Sequence, residues 1–299
     1  MRRSGSAVEL LVSILALGST YALLAAGIVI IYKASRVVNF AHGELAIVGA
    51  YVFHSAGFLT GTTLSGPSLL VTIAISTIGS AAFGIFIYFS LMRRLLGRPT
   101  FVAAMVTIGL AIVLKAGIVV IWQSRSVGIA IGRQPMFHFA SGGRVAWIDL
   151  VSILTCIALF AALAVFFQYT PLGRQFRGAA ENPLLAAQRQ VNINLILALA
   201  WALAVFSATL AGVLFGSRSM LSPQSTVIGL SGLTAALVGG LDSLRGAAIG
   251  GFLVAAATYL TARMISPTLA ETVPFLILLA VMSRRPWGLF GTVEELNRV

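Results

Sequence analysis

Stretches long and apolar enough to cross a bilayer, at about 20 residues per crossing, occupy positions 7–31, 68–92, 101–122, 148–169, 193–216, 244–262 and 269–283. Two shorter segments interrupted by glycine, 40–58 and 227–241, bring the expected number of crossings to eight or nine. With 59% hydrophobic and 9% charged residues, the chain is far from the roughly 45–50% and 25% of soluble domains. The expected fold is therefore all-α, a polytopic transmembrane helical bundle forming a single domain over 1–299. No length remains for a separate soluble domain.

The net charge of +12 would suggest nucleic acid in a soluble protein. Here the arginines fall between apolar stretches, where cytoplasmic loops and anionic lipid hold them, so a nucleic-acid partner is not expected. If 40–58 and 227–241 both cross, the N-terminus lies outside and the C-terminus inside. The inner side then carries 12 basic residues: Lys33, Arg36, Arg93, Arg94, Arg98, Arg174, Arg177, Arg189, Arg245, Arg284, Arg285 and Arg298. The outer side carries 7: Arg2, Arg3, Arg125, Arg133, Arg144, Arg218 and Arg263. Arg2 and Arg3 imitate the start of a cleaved signal, but the apolar run from Ala7 to Ile31 exceeds the roughly 7–15 residues of such a segment. It reads as a retained span. The single cysteine, Cys156, permits no intrachain disulfide and no cysteine-based metal cluster.

A faint internal repeat is visible. A long span (7–31) precedes a broken segment containing Ala-Ile-Val-Gly at 46–49, and another (193–216) precedes one containing Ala-Leu-Val-Gly at 236–239. Paired short, glycine-interrupted segments in the two halves point to a transport pathway, although small residues also serve close helix packing.

Candidate pathway residues follow. Asn39-Phe40-Ala41-His42-Gly43-Glu44 reads as a helix start, with Asn39 as N-cap to a helix from Phe40 and Glu44 in the favourable first turns. His42 and Glu44, two apart, do not share a helical face, and no further ligand makes a metal site. A gate or coupling role is the functional alternative to simple helix initiation. Lys115 stands inside the 101–122 span, where an ammonium must be paired, hydrated or snorkelled outward. The glycine-rich stretch 229–251, including Gly239 and Gly240, suits close packing or a pore-lining backbone. In the loop 170–194, Asn182 is placed to cap a short helix whose first residue is Pro183. Leu184, Leu185, Ala187 and Val191 give that helix an apolar side that a partner's groove, or the membrane surface, would have to cover.

No nucleotide-binding P-loop, G-x-S-x-G or H-E-x-x-H pattern occurs, and no nucleophile–base pair supports an intramembrane enzyme. The chain reads as a conduit driven by something else, with a self-sufficient channel or facilitator as the rival.

The stretch Leu17-Gly18-Ser19-Thr20-Tyr21-Ala22-Leu23-Leu24, with Asn39 to Gly49, resembles the opening of LivH-type branched-chain amino acid ABC importer permeases. Leu172-Gly173-Arg174 through Ala180-Glu181-Asn182-Pro183 resembles their coupling loop. Val238 to Ala247 resembles their second-half glycine motif, and Arg285 to Gly291 their C-terminal ending. The resemblance implies half of the translocation pathway for a hydrophobic amino acid or related small organic acid or amide, in a bacterial inner membrane, with a cytoplasmic C-terminus. It further implies a second, LivM-like permease, two cytoplasmic ATPases that carry the ATP and magnesium, and an extracytoplasmic solute-binding protein. No cofactor on this chain is implied. Glu181, Asn182, Pro183 and Ala186 become the ATPase-coupling positions. The chain departs from the family pattern at Gln190-Val191, where Leu-Gly is usual, and at Lys115, usually neutral. With Arg125, Arg133 and Arg144, Lys115 hints at an anionic or aromatic acid.

Overall fold

The computed structural model describes residues 2–60, 67–129, 131, 135–138 and 144–292. In chain order the helices are α1 (Arg2–Ser35), α2 (His42–Thr60), α3 (Pro67–Ser90), α4 (Thr100–Trp122), α5 (Trp147–Tyr169), α6 (Pro171–Glu181), α7 (Pro183–Gln188) and α8 (Ile193–Arg218). They continue with α9 (Ile228–Gly239), α10 (Leu244–Met264), α11 (Pro267–Ala270) and α12 (Val273–Arg284). Single 3-10 turns, Met92–Leu95 and Pro223–Val227, follow α3 and precede α9. A bilayer offers the backbone no hydrogen-bonding partner, so apolar segments of this length satisfy it internally as helices.

Among the described residues, seven helical segments are long and apolar enough to cross a membrane: Ala7–Ser35, Ser68–Leu95, Thr100–Trp122, Trp147–Tyr169, Ile193–Arg218, Leu244–Met264 and Pro267–Arg284. Each contains or closely overlaps one of the apolar stretches. The broken segments form α2 and α9, which are not among these seven.

The described residues are predominantly helical, as expected, with a short strand pair besides. Between α4 and α5 two short strands, β1 (Met136–His138) and β2 (Arg144–Ala146), pair antiparallel with Phe137 opposite Val145. This connection lies beyond the apolar spans, and a hairpin lets it pair its backbone locally.

Two helices form the core. α1 and α8 are buried over most of their apolar length, whereas α4 and the α11–α12 segment leave most side chains on the outside. α1 packs against α8, α9, α10 and α5, while α8 packs against α1, α2 and α3. Small residues permit this closeness. A Cβ added at Gly251 would fall 2.6 Å from the backbone nitrogen of Ala22, and one at Gly212 would meet the Ala46 carbonyl. The Ser207 hydroxyl donates to the Leu23 carbonyl at 2.6 Å, joining the two central helices through a buried polar bond. Where α5 begins, Asp149 pairs with Arg218 at the end of α8, at 3.3 Å.

The last described residues close one end of the bundle. The N–H groups of Leu289 and Phe290 donate to the carbonyls of Val238 and Gly239 at 2.9 and 3.0 Å. These carbonyls belong to the last turn of α9, which has no intrahelical donor for them. The Asp242 carboxylate accepts from the Thr292 N–H at 3.0 Å and from its hydroxyl.

Candidate translocation cavity and coupling loop

The NFAHGE stretch initiates α2 at His42 rather than at Phe40, because the Asn39 side chain closes a turn first. Its Oδ1 accepts the Ala41 N–H at 3.0 Å, and the Leu45 N–H then reaches the Ala41 carbonyl. The Thr107 hydroxyl of α4 accepts from the Phe40 N–H at 3.2 Å, which fixes the entry to the helix.

The first turn of α2 abuts the first turn of α9. A Cβ at Gly229 would strike the backbone of Gly43, and one at Gly43 would lie 2.9 Å from the Gly229 Cα. Both positions need glycine so that the two helix starts can meet. His42 reaches inward from there: a Cβ at Gly27 of α1 would be 2.6 Å from the His42 Nε2 and 2.9 Å from the carbonyl of Ala204. Ala204 lies near the middle of α8, so the α2 start is deep in the bundle.

A cavity of about 230 Å³ opens at this junction, lined by Asn39, His42, Glu44, Lys115, Thr226 and Leu230 among others. The structure thus brings four of the candidate pathway residues to one place. Lys115 is close enough to Glu44 for their charges to interact across the cavity. Asn39 and His42 are each 1% exposed. The Nδ2 of Asn39 and both ring nitrogens of His42 make no hydrogen bond of acceptable geometry, the Leu24 carbonyl being the nearest candidate for the imidazole. Buried polar groups in folded proteins rarely lack a partner.

Gly239 and Gly240 are placed elsewhere. A Cβ at Gly239 would meet the Gly246 carbonyl, and Gly240, at φ 110°, lies against Gly291. They let α9, α10 and the tail come together at the far end of α9 from the cavity. Thr226 and the Pro223–Val227 turn are cavity elements that sequence reasoning missed. The Ser222-Pro223 pair, a cap residue followed by proline, is the signal that announces a helical start there.

The loop 170–194 contains two helices. α7 is the one expected: the Asn182 Oδ1 accepts from the Leu184 and Leu185 N–H groups at 3.1 Å each, with Pro183 in the first turn. Leu184 and Leu185 are 77% and 57% exposed, and Ala186 is buried. Val191 does not join the exposed apolar side; it packs against the core. α6 was not anticipated, although Thr170-Pro171 is a cap-and-proline signal. The Thr170 hydroxyl caps Gly173 at 2.9 Å, and Phe176 stacks edge-on to Phe167 of α5 with ring centroids 5.0 Å apart.

α7 ends in a paired closure in which Gln190 N–H reaches Ala187 and Val191 N–H reaches Ala186, at 2.9 and 3.1 Å. Gln190 adopts φ 62°, a left-handed conformation that glycine normally fills and that costs other residues roughly 1–2 kcal/mol. Gln190→Gly is expected to raise stability by up to about 1 kcal/mol, after the entropy of the freer unfolded glycine is offset. A thermal-unfolding midpoint of the purified chain a few degrees higher would show it, and Gln190→Val should move it the other way.

α7 touches the machinery above it. Pro183 and Ile193 border a cavity of about 190 Å³ with Ala34, Ser35 and Val37, the end of α1 and the approach to Asn39. The Arg36 guanidinium also donates to the Ala180 carbonyl at 3.4 Å.

A buried pair of long helices, two shorter helices meeting at a cavity, and an exposed apolar helix on the adjoining loop belong to a polytopic helical membrane protein. The chain belongs to the family described as the permease component of branched-chain amino acid transport systems, whose profile matches residues 10–282. It is 29% identical over 295 residues to the high-affinity branched-chain amino acid transport system permease protein LivH of Escherichia coli K12, covering 93% of each chain. It is 29% identical over 296 residues to BraD of Pseudomonas aeruginosa, covering 96% of each, and 26% identical over 285 residues to a probable LivH of Methanocaldococcus jannaschii, covering 90% of this chain and 88% of that one. No solved structure matches. The chain is a polytopic transport subunit and not an enzyme.

Proposed function

We propose that this chain forms half of the translocation pathway of an ATP-driven importer for a hydrophobic amino acid or a related small organic acid or amide, in a bacterial inner membrane. A second, LivM-like permease supplies the other half. Two cytoplasmic ATPases drive the pair, one of them docking on α7, and an extracytoplasmic binding protein delivers the solute. The observation that carries this reading is α7 itself. It is capped at Asn182 and opened by Pro183, and it presents Leu184 and Leu185 to solvent. An apolar helix face of this kind is what a partner's groove takes up.

On this reading Glu181, Asn182, Pro183, Leu184, Ala186 and Ala187 form the coupling element. Displacement of α7 passes through Asn182 to α6, whose Ala180 carbonyl accepts from Arg36, and from Arg36 along three residues to Asn39 and the start of α2. The two halves of the chain are related as repeats, α1 corresponding to α8, α2 to α9 and α3 to α10. The packing supports this: α1 packs on α9 and α10 as α8 packs on α2 and α3. α9, with 12 residues, is about 18 Å long at 1.5 Å per residue, well short of the roughly 30 Å core. It enters the bilayer as a half-helix, completed by the Pro223–Val227 turn. With α2 and that composite segment both crossing, the chain has nine spans and a cytoplasmic C-terminus.

The test is affinity purification of the tagged chain with its neighbours in mild detergent. The intact chain should bring down two ATPase copies and a second permease. Leu184→Asp with Leu185→Asp, or Glu181→Ala with Pro183→Gly, should lose the ATPases while keeping the permease partner. A chain that purifies alone and passes solute in liposomes without ATP would establish the channel alternative instead.

A further inference from the structure

We propose that the cavity between the starts of α2 and α9 is a binding station for the carboxylate of the solute, with Lys115 and the Asn39 Nδ2 as its ligands and Glu44 placed to take up an ammonium. This rests on the importer reading and adds to it a recognition site within the membrane domain.

Four observations converge. The 19-residue helix α2 begins at the cavity, and its start carries the equivalent of about half a positive charge. Lys115 adds a full positive charge from α4, and Glu44 subtracts one. The sum is about half a positive charge, which favours an anion. The Nδ2 of Asn39 is buried and unpartnered at the cavity wall, while its Oδ1 is already committed to the Ala41 N–H. The free group is therefore a donor, as a carboxylate requires. Interrupted helices whose starts face a solute's carboxylate are a recurring solution in membrane transport. The volume of about 230 Å³ suits a small solute. The same arrangement handles a free carboxylate and a zwitterion; Glu44 is the group that separates them.

The experiment places a reporter cysteine at Leu230, which lines the cavity and is 44% exposed, in a Cys156→Ala background. The assembled transporter, in nanodiscs, is treated with small methanethiosulfonates and the tagged chain is then read by a mass-shifting maleimide. The sulfonate reagent should react about tenfold faster than the trimethylammonium reagent, relative to their rates with a free thiol. L-leucine and 4-methylpentanoate should each slow the reaction, and L-leucinamide should not. Lys115→Gln, at an exposed side chain with little packing to lose, should abolish both the charge preference and the protection. Asn39→Asp should weaken protection, and Glu44→Gln should remove only the advantage of L-leucine over 4-methylpentanoate. Equal protection by L-leucinamide, or an unchanged charge preference in Lys115→Gln, overturns the site. The pull-down of the same preparations decides the importer reading separately: no protection by L-leucine in the reporter chain that keeps Lys115, with the ATPases still bound, refutes the carboxylate station alone.

Discussion

Gly43→Ala should lower the unfolding midpoint of the purified chain by roughly 6–12 °C and reduce solute transport by tenfold or more. The added Cβ would be driven into the Thr226 carbonyl and the Gly229 Cα, both backbone atoms that cannot rotate away. Overpacking of this kind costs about 1–3 kcal/mol, and contact with backbone on the opposing helix puts Gly43 at the upper end. With a shift of about 2–4 °C per kcal/mol for a chain of 150–250 residues, the expected range follows. Gly229→Ala meets the Gly43 backbone from the other side and should behave alike. Gly79→Ala and Gly117→Ala are the controls, since an added Cβ at either meets open space; neither should lower the midpoint, and the better helix propensity of alanine should raise it by about 2–4 °C. An unchanged midpoint for Gly43→Ala would mean that the two helix starts do not abut.

The second large effect belongs to Arg218 and Asp149. Their side chains retain 22% and 11% exposure and lie 3.3 Å apart, and the outer nitrogen Nη1 of Arg218 has no partner. Removing one member strands the other, which costs about 3–5 kcal/mol at a fully buried pair. The residual exposure here reduces that to about 2–3 kcal/mol. Arg218→Met should therefore destabilise strongly, as should Asp149→Asn to a lesser degree. The double variant should recover most of the loss, because no uncompensated charge remains. A thermal or denaturant titration of all four proteins gives the coupling energy directly. Additive losses would show that the pair contributes through packing and not through charge.

The membrane character and the seven long spans were legible because hydropathy over about 20 residues is a one-dimensional property. α7 was legible for a similar reason: Asn182-Pro183 specifies its own start, and the cap forms as expected. What the linear pattern lacks is any statement of which segments meet. Lys115 read alone is an expensive residue inside a span, with snorkelling as reasonable as function. Only the packing of α4 beside α2 brings it to Glu44 and Asn39. Gly239 and Gly240 fail in the opposite sense: a glycine-rich run is written the same way for a pathway lining and for a tight junction. Gly43 and Gly229 were two unremarkable glycines until the fold set one against the other. The β1–β2 hairpin escaped notice because three-residue strands carry almost no periodic signal.

The clasp formed by Leu289, Phe290 and Thr292 on α9 and its following turn also bears on how the protein is made. Asp242 and Thr292 are 50 positions apart, so a ribosome must add the whole of α10, α11 and α12 before the carbonyls closing α9 find their donors. Until then the last carbonyls of α9 lack the donors that the tail brings. The residues that line the cavity all precede Thr234, so its walls are made before the clasp that closes the far end of α9.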